Sequence, residues 1–151
     1  MIDNTYPNRA RQGGPGRAGH AIIAGSNYGQ GSSRENAALA PRYLRLEMVL
    51  AKSFARIHWQ NLVNFGVLPL TFADPSDLDS LQIGDVVEIN GIAAALAAGQ
   101  DVAATVNGKS LPLKHDLSRR QIALLLRGGV INWLRERISS ENSNLSQSGI
   151  A

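Results

Sequence analysis

The sequence predicts an α/β fold in which a parallel β-α-β-α-β run is followed by a locally antiparallel second half. Three short apolar runs, "HAIIAG", "EMVLAKS" and "VLPLTF", are typical of buried strands, and stretches with helical spacing separate them. Further along, Asn107-Gly108 joins two alternating runs and indicates a β-hairpin. Strands that alternate with helices pair in parallel through crossover connections, so the predicted sheet is mixed.

The first strand and the first helix are separated by a loop rich in glycine and serine. The strand begins at His20 and is stopped by Gly25. The helix is predicted from about Ser33 and is bounded by Pro41, because proline cannot donate the next amide hydrogen bond. In parallel sheets ligands bind where strand C-termini meet helix N-termini, so this loop is a candidate site.

The second helix follows the strand "EMVLAKS". Ser53 is suited to cap this helix, and Gly66 is suited to end it. One face of the helix is predicted to carry the apolar side chains of Phe54, Ile57, Leu62 and Phe65. "VLPLTF" then returns as the third strand.

The second half is predicted to contain the strand "VVEIN", the hairpin "DVAATVNGKSLPLK" and two helices. Ser118 and Gln121 form a capping-box pattern ahead of "IALLLR", and Gly128-Gly129 interrupts before "VINWLRERI" resumes helical spacing. Residues 1–19 are predicted to be a flexible lead-in and 139–151 a disordered polar tail, which leaves one domain over residues 20–138.

Composition excludes several classes of site. The 151-residue chain has no cysteine, so it cannot form disulfides, use a cysteine nucleophile or hold a metal cluster on its own thiolates. The formal net charge is only +3, which does not by itself indicate a nucleic-acid partner. No apolar run has the roughly 20 residues that span a bilayer, and the N-terminus has no apolar signal-peptide core. We therefore expect a cytoplasmic protein with no membrane partner.

The loop within "GSNYGQGSSRENAAL" is open to more than one interpretation. Its glycines lack the lysine of a phosphate-binding P-loop, and Arg34 stands where a dinucleotide fingerprint needs glycine. Ser32 with Glu35 fits a helix capping box. The same position favours an anion site, because helix amides and the Arg34 guanidinium would stabilise an alkoxide or a bound carboxylate.

Two long motifs, "GSNYGQGSSREN-AALAPRYL" and "AKSFARIHWQNLVNFGVLPLTF", resemble the swivel domain of the aconitase family. The similarity runs from about residue 20 to about residue 137 and implies an aconitase-type swivel fold. It also implies a hydro-lyase that isomerises a tricarboxylate such as citrate. By this resemblance Ser32 is the catalytic base, and Ser33 and Arg34 bind substrate. The family's 4Fe-4S cluster would be held by a large partner subunit or by missing N-terminal domains.

Departures from the family pattern concern the same loop. Asn36 stands where the family usually has histidine, and an amide cannot carry a proton near neutral pH. The upstream segment that supplies another substrate-binding arginine has no counterpart before Tyr6. We expect Arg56 and His58 to serve packing and surface contacts, and His20 and His115 show no metal-ligand spacing.

Two further functions stay open. The first is that of the small subunit of 3-isopropylmalate dehydratase, which shares the swivel fold and a related serine loop. A non-catalytic RNA-binding or regulatory module is a different class, motivated by Asn36 and by the Arg- and Gly-rich lead-in, which could lie along phosphates.

Overall fold

One mixed sheet forms the centre of the molecule. The computed structural model describes residues 19–31 and 34–148, with side chains described as far as residue 140. Within this part of the chain six strands pair in the order β1-β2-β3-β6-β5-β4. They are β1 (His20–Ala24), β2 (Leu46–Ala51), β3 (Leu68–Phe72), β4 (Val87–Glu88), β5 (Val102–Val106) and β6 (Lys109–Lys114). The first three strands are parallel and the remaining pairs antiparallel, which confirms the predicted α/β fold.

The described ranges also contain five α-helices and one short 3₁₀ helix. The α-helices are α1 (Asn36–Tyr43), α2 (Arg56–Asn64), α3 (Ile92–Ala97), α4 (Arg119–Leu126) and α5 (Val130–Ser148), and the 3₁₀ helix spans Pro75–Ser80. Helix α5 runs through the segment predicted to be a tail as far as Ser148. The predicted lead-in, apart from Gly19, lies outside the described residues, and the domain boundaries stay predictions.

Strand β2 is buried on both faces and separates two apolar clusters. Alternate side chains of a strand point to opposite faces, so Val49 joins one cluster while Met48 and Leu50 join the other. The smaller cluster, under α1 and α2, contains Ala38, Leu46, Val49, Leu62 and Val67. The larger one lies on the other face, between the sheet and α3 and α4. Covering both faces explains why β2 is a continuous apolar run instead of an alternating one.

The buried face of α2 differs from the predicted one. Ile57 is 60% exposed, whereas its neighbour His58 is only 3% exposed. The helix turns His58, Leu62 and Val63 inward because a histidine ring fills the space beneath the loop after β1. The buried face of α2 therefore includes a polar aromatic side chain, which the spacing of apolar residues does not predict.

The second half follows its predicted local signals. Asn107 and Gly108 both have positive φ, at 50° and 77°, and connect β5 to β6 as a tight hairpin. Ser118 and Gln121 form the complete capping box at the start of α4. Gly128 and Gly129 separate α4 from α5 with φ of 76° and 109°, a conformation that favours glycine.

Candidate active site

The loop that follows β1 lies at the carboxyl edge of the parallel strands and is tied to the connection between β2 and α2. The Tyr28 amide donates to the Ser53 carbonyl at 2.9 Å, and the Ala55 amide donates to the Tyr28 carbonyl at 2.9 Å. Tyr28 and Phe54 thereby form a short parallel bridge beyond the ends of the named strands. The loop is thus held by the same sheet whose carboxyl edge is the usual ligand site of such folds.

Ser53 supports the loop and does not cap α2 as predicted. Its Oγ accepts a hydrogen bond from the Asn27 amide at 2.8 Å. The N-cap position of α2 belongs to Ala55, which has an extended backbone and no capping side chain. Because Ser53 precedes that position, its hydroxyl reaches across to the loop and satisfies a backbone donor there.

Aromatic side chains pack against one another where the loop after β1 meets α2. The Tyr28 ring packs edge-to-face on Phe54, with centroids 6.0 Å apart, and on the imidazole of His58, with centroids 5.2 Å apart. Each such pair contributes about 0.5–1.5 kcal/mol beyond its buried area. Burial raises the pKa of the Tyr28 hydroxyl above its ordinary value, so this phenol stays neutral at physiological pH. Tyr28 therefore serves as a neutral anchor.

Gly29 lies directly on the ring of His58. A Cβ built on Gly29 would fall 2.2–2.4 Å from His58 Cγ, Cβ and Cδ2, and the glycine has a φ of 89°. Gly31 in the same loop has open space around the corresponding position. The loop thus makes its closest approach to α2 at one glycine, where both the space and the backbone conformation exclude a side chain.

Helix α1 begins at Asn36, later than the predicted start near Ser33, and the capping-box interpretation of Ser32 concerns a residue outside the described ones. Glu35 occupies the N-cap position with a helical backbone, and it makes no side-chain capping bond. The Ala37 amide donates to the Arg34 carbonyl at 3.1 Å, so a tight turn precedes the helix and delays its start to Asn36. Helix α1 also runs past Pro41 to Tyr43, because bonds from Leu44 and Arg45 close its last turn.

The structure describes one of the three predicted site residues. Arg34 is exposed at the entrance to α1, between the anchored loop and the helix. Ser32 and Ser33 lie outside the described residues, so their roles stay predictions. Asn36 is the exposed first residue of α1.

Basic side chains predominate in the two connections that follow β1 and β2. Arg34 precedes α1, Lys52 follows β2 and Arg56 opens α2, whereas Glu35 is the acidic residue of these two connections. The two connections, residues 25–35 and 52–56, therefore carry a surplus of positive charge. The N-termini of α1 and α2 add their own positive partial charge at the same edge. The arrangement suits a small polyanion, such as a molecule with several carboxylates.

The other candidate residues have mostly structural surroundings. His58 is buried against the loop, as the prediction of a packing role requires. His115 connects β6 to the residues before α4, because its Nε2 lies 3.0 Å from the Gln100 carbonyl and its Nδ1 accepts from the Leu117 amide at 3.3 Å. Among the described residues, no group of three or more His, Asp or Glu side chains is placed to hold a metal ion.

A separate cleft of about 960 Å³ lies nearer the amino ends of the parallel strands. Its walls come from the start of β1 and β2, from the segment between the 3₁₀ helix and β4, and from α3 and α4. The side chains there are mainly aliphatic, and no residue of the loop after β1 lines it. The charged residues that line the cleft are acidic, namely Glu47, Asp79 and Asp85, so its charge is opposite to that of the connections after β1 and β2.

In the described part of the chain, no helix has the length and apolar character needed to cross a bilayer.

Comparison with protein families finds a match to the aconitase C-terminal domain over residues 10–75. A putative mitochondrial aconitate hydratase of Emericella nidulans is 43% identical over 141 residues, which is 89% of this chain and 18% of that protein. The mitochondrial homocitrate dehydratase of Saccharomyces cerevisiae is 47% identical over 122 residues, or 75% of this chain and 16% of that protein. The chain thus spans less than a fifth of the length of these curated relatives.

A solved structure shares the fold. The 3-isopropylmalate dehydratase of Methanocaldococcus jannaschii superposes with a TM-score of 0.69 at 30% identity. The match covers 95% of this chain and 75% of that one. The two proteins therefore share their fold over nearly the whole of this chain.

Proposed function

The chain belongs to the aconitase C-terminal domain family, and from this premise we propose that it is the swivel-domain component of an aconitase-type hydro-lyase. The reaction is the interconversion of citrate and isocitrate through cis-aconitate. This chain supplies the serine base and a carboxylate-binding arginine, and other domains or a partner chain supply the rest of the site. The observation that carries the proposal is the loop pinned at the carboxyl edge beside Arg34.

Ser32 is the proposed base. In the dehydration direction its oxygen takes a proton from the carbon next to a carboxylate, and the electron pair left behind forms the carbon–carbon double bond as hydroxide leaves the neighbouring carbon. A serine hydroxyl is a very weak base in water, so the site must favour its alkoxide. The surplus of basic side chains and the N-terminus of α1 support that requirement, because both stabilise negative charge.

Arg34 and Ser33 are the proposed substrate-binding pair. A guanidinium presents parallel N–H donors that match a carboxylate, so Arg34 can orient the substrate while Ser32 acts on the adjacent carbon. The backbone of Arg34 is held by the first turn of α1, whose Ala38 is fully buried. Asn36 lies two positions further on and can donate or accept a hydrogen bond but cannot relay a proton.

The iron–sulfur cluster of this family does not fit the residues of this chain. The chain has no cysteine, and the described residues hold no cluster of other metal-ligating side chains. The proposed partner is therefore a cluster-bearing large subunit or N-terminal portion. The short span of the chain relative to its curated relatives is consistent with this division. The cytoplasmic location stays a prediction, and several relatives carry mitochondrial names.

3-Isopropylmalate is the second candidate substrate. The observation in its favour is the shared fold with a 3-isopropylmalate dehydratase at 30% identity over 95% of this chain. Citrate carries one more carboxylate than isopropylmalate, which has an isopropyl group instead. The basic edge formed by Arg34, Lys52 and Arg56 favours the substrate with more negative charge.

Activity of the assembled enzyme separates these substrates. The chain is combined with its cluster-bearing partner, and hydration and dehydration are followed by the absorbance of the unsaturated intermediate with citrate, isocitrate, homocitrate or 3-isopropylmalate. We expect the highest kcat/KM with citrate and isocitrate. A higher kcat/KM with 3-isopropylmalate would assign the second substrate, and no turnover of any of the four by a complex with an intact cluster would contradict a hydro-lyase function.

A further inference from the structure

We propose that His58 is a positioning residue for the serine loop: its buried ring, placed between α2 and Gly29, fixes the loop at Gly29, three residues ahead of the proposed base Ser32. The proposal rests on the proposed function for its catalytic consequence. It assigns to His58 a role beyond packing, since the ring acts on the reaction through the loop and without touching the substrate.

The packing of α2 holds the His58 ring in place. His58 is 3% exposed, and the next turn of α2 places Leu62 and Val63, both fully buried, in the two apolar clusters of the molecule. Moving the ring would therefore require moving a helix that is packed on both sides. A side chain held in this way is a rigid surface on the timescale of turnover.

The loop lies directly against that surface. Three atoms of His58, namely Cβ, Cγ and Cδ2, are the nearest neighbours of the Cβ direction of Gly29. The edge of the ring also meets Tyr28, whose backbone amide and carbonyl are bonded to Ser53 and Ala55. Tyr28 is therefore held by backbone hydrogen bonds, and both Tyr28 and Gly29 contact the His58 side chain.

This anchor matters because proton abstraction depends on short distances. A catalytic base must come within hydrogen-bond reach of the proton that it removes, and a misplacement of about 1 Å can lower a rate about 100-fold. Only Gln30 and Gly31 separate Gly29 from Ser32, so we expect a shift of the loop at Gly29 to displace the proposed base. Arg34 is less affected, because α1 holds it through the buried Ala38.

The contact atoms suggest a conservative test. Phenylalanine has the same Cβ, Cγ and Cδ carbons as histidine, so His58→Phe keeps the surface beneath Gly29 and removes both ring nitrogens. His58→Ala removes the surface. Leu111→Ala is the control for lost stability, because it opens a cavity in the larger apolar cluster but on strand β6, which carries neither His58 nor the serine loop.

The three variants are compared in the enzyme assembled with its cluster-bearing partner. We expect His58→Ala to lower kcat about 10- to 100-fold with a smaller change in KM. His58→Phe should retain kcat within about threefold of the wild type, and Leu111→Ala should lower Tm without lowering kcat per folded molecule.

Two results would overturn the proposal: a kcat of His58→Ala equal to the wild type, or a kcat of His58→Phe as low as that of His58→Ala. The second result would mean that a ring nitrogen, not the ring surface, is what the reaction needs. Ser32→Ala, measured beside them, distinguishes this failure from that of the proposed function. If Ser32→Ala is inactive while His58→Ala is unimpaired, only the positioning role is wrong; if Ser32→Ala is fully active, the proposed base is wrong.

Discussion

At the scale of single residues, Gly29 and Gly31 give the sharpest contrast in the candidate site. Gly29→Ala would place a methyl group within 2.4 Å of His58 at a φ of 89°, whereas Gly31→Ala would enter open space. We expect Gly29→Ala to lower the free energy of unfolding by about 2–4 kcal/mol, since left-handed backbone strain and overpacking add together. Gly31→Ala should change it by less than about 0.5 kcal/mol. Urea unfolding measures both values.

Gly108→Ala is the control for the cost of left-handed backbone strain alone. Gly108 has a φ of 77° and nothing near its Cβ direction, so its replacement measures strain without a clash. The difference between Gly29→Ala and Gly108→Ala is then the contribution of the contact with His58. Equal costs at these two positions would show that His58 does not restrict the loop.

The sequence predicts where the candidate loop lies better than it predicts which residues hold that loop in place. The glycine and serine spacing after "HAIIA" places the loop at a strand C-terminus, and the structure confirms that location. Ser53 and His58 were assigned to capping and packing within their own helix, because spacing along one helix says nothing about a neighbouring loop. Their contacts with Asn27, Tyr28 and Gly29 arise only when the crossover brings the two connections together.

At the scale of elements, Asp85 links the approach to β4 with the β5–β6 hairpin. Its carboxylate accepts from the Gln82 amide at 2.8 Å and from Asn107 Nδ2 at 3.0 Å. The Asn107 bond first, and the Gln82 bond second, hold the pKa of Asp85 below its ordinary value of 3.8. A group whose folded pKa is depressed stabilises the fold above its unfolded pKa, and this stabilisation is lost as the pH falls through the folded value.

We therefore expect Asp85→Asn to be less stable than the wild type at pH 7. The difference should shrink as the pH falls below 3.8, because the wild-type carboxylate then becomes protonated. Unfolding by urea at a series of pH values measures this difference. Asp101→Asn, at an exposed carboxylate before β5, is the control. A difference that is the same at pH 7 and at pH 2.5 would show that ionisation of Asp85 does not stabilise this turn.

Sequence patterns predicted helix caps and turns correctly where the cap or turn is formed by residues that lie close together in the chain. Asn107-Gly108 and the pair Ser118 and Gln121 depend on backbone geometry within a few residues, and both were predicted. The start of α1 was placed too early, because the pattern of Ser32 and Glu35 also fits a capping box and the sequence alone does not reveal the turn at Arg34. Helix α3, over Ile92–Ala97, was not predicted, since its alanine-rich run carries no clear amphipathic period.

At the scale of the whole molecule, the proposed function needs residues that this chain does not carry, because the sequence has no cysteine for the cluster of its family. Arg34, Lys52 and Arg56 give the connections after β1 and β2 a positive charge that would attract a carboxylate-rich substrate. Backbone hydrogen bonds hold the loop after β1 against the connection between β2 and α2, which suits the proposed role. The central claim is therefore that this chain contributes the base of the reaction.

The most direct measurement of that claim is kcat for citrate–isocitrate interconversion by the assembled enzyme carrying Ser32→Ala. Ser26→Ala, in the exposed part of the same loop, is the matched control. We expect Ser32→Ala to lower kcat by about 10³-fold or more, while Ser26→Ala stays near the wild-type value and both variants bind the partner equally well. A Ser32→Ala enzyme with wild-type kcat would contradict the account.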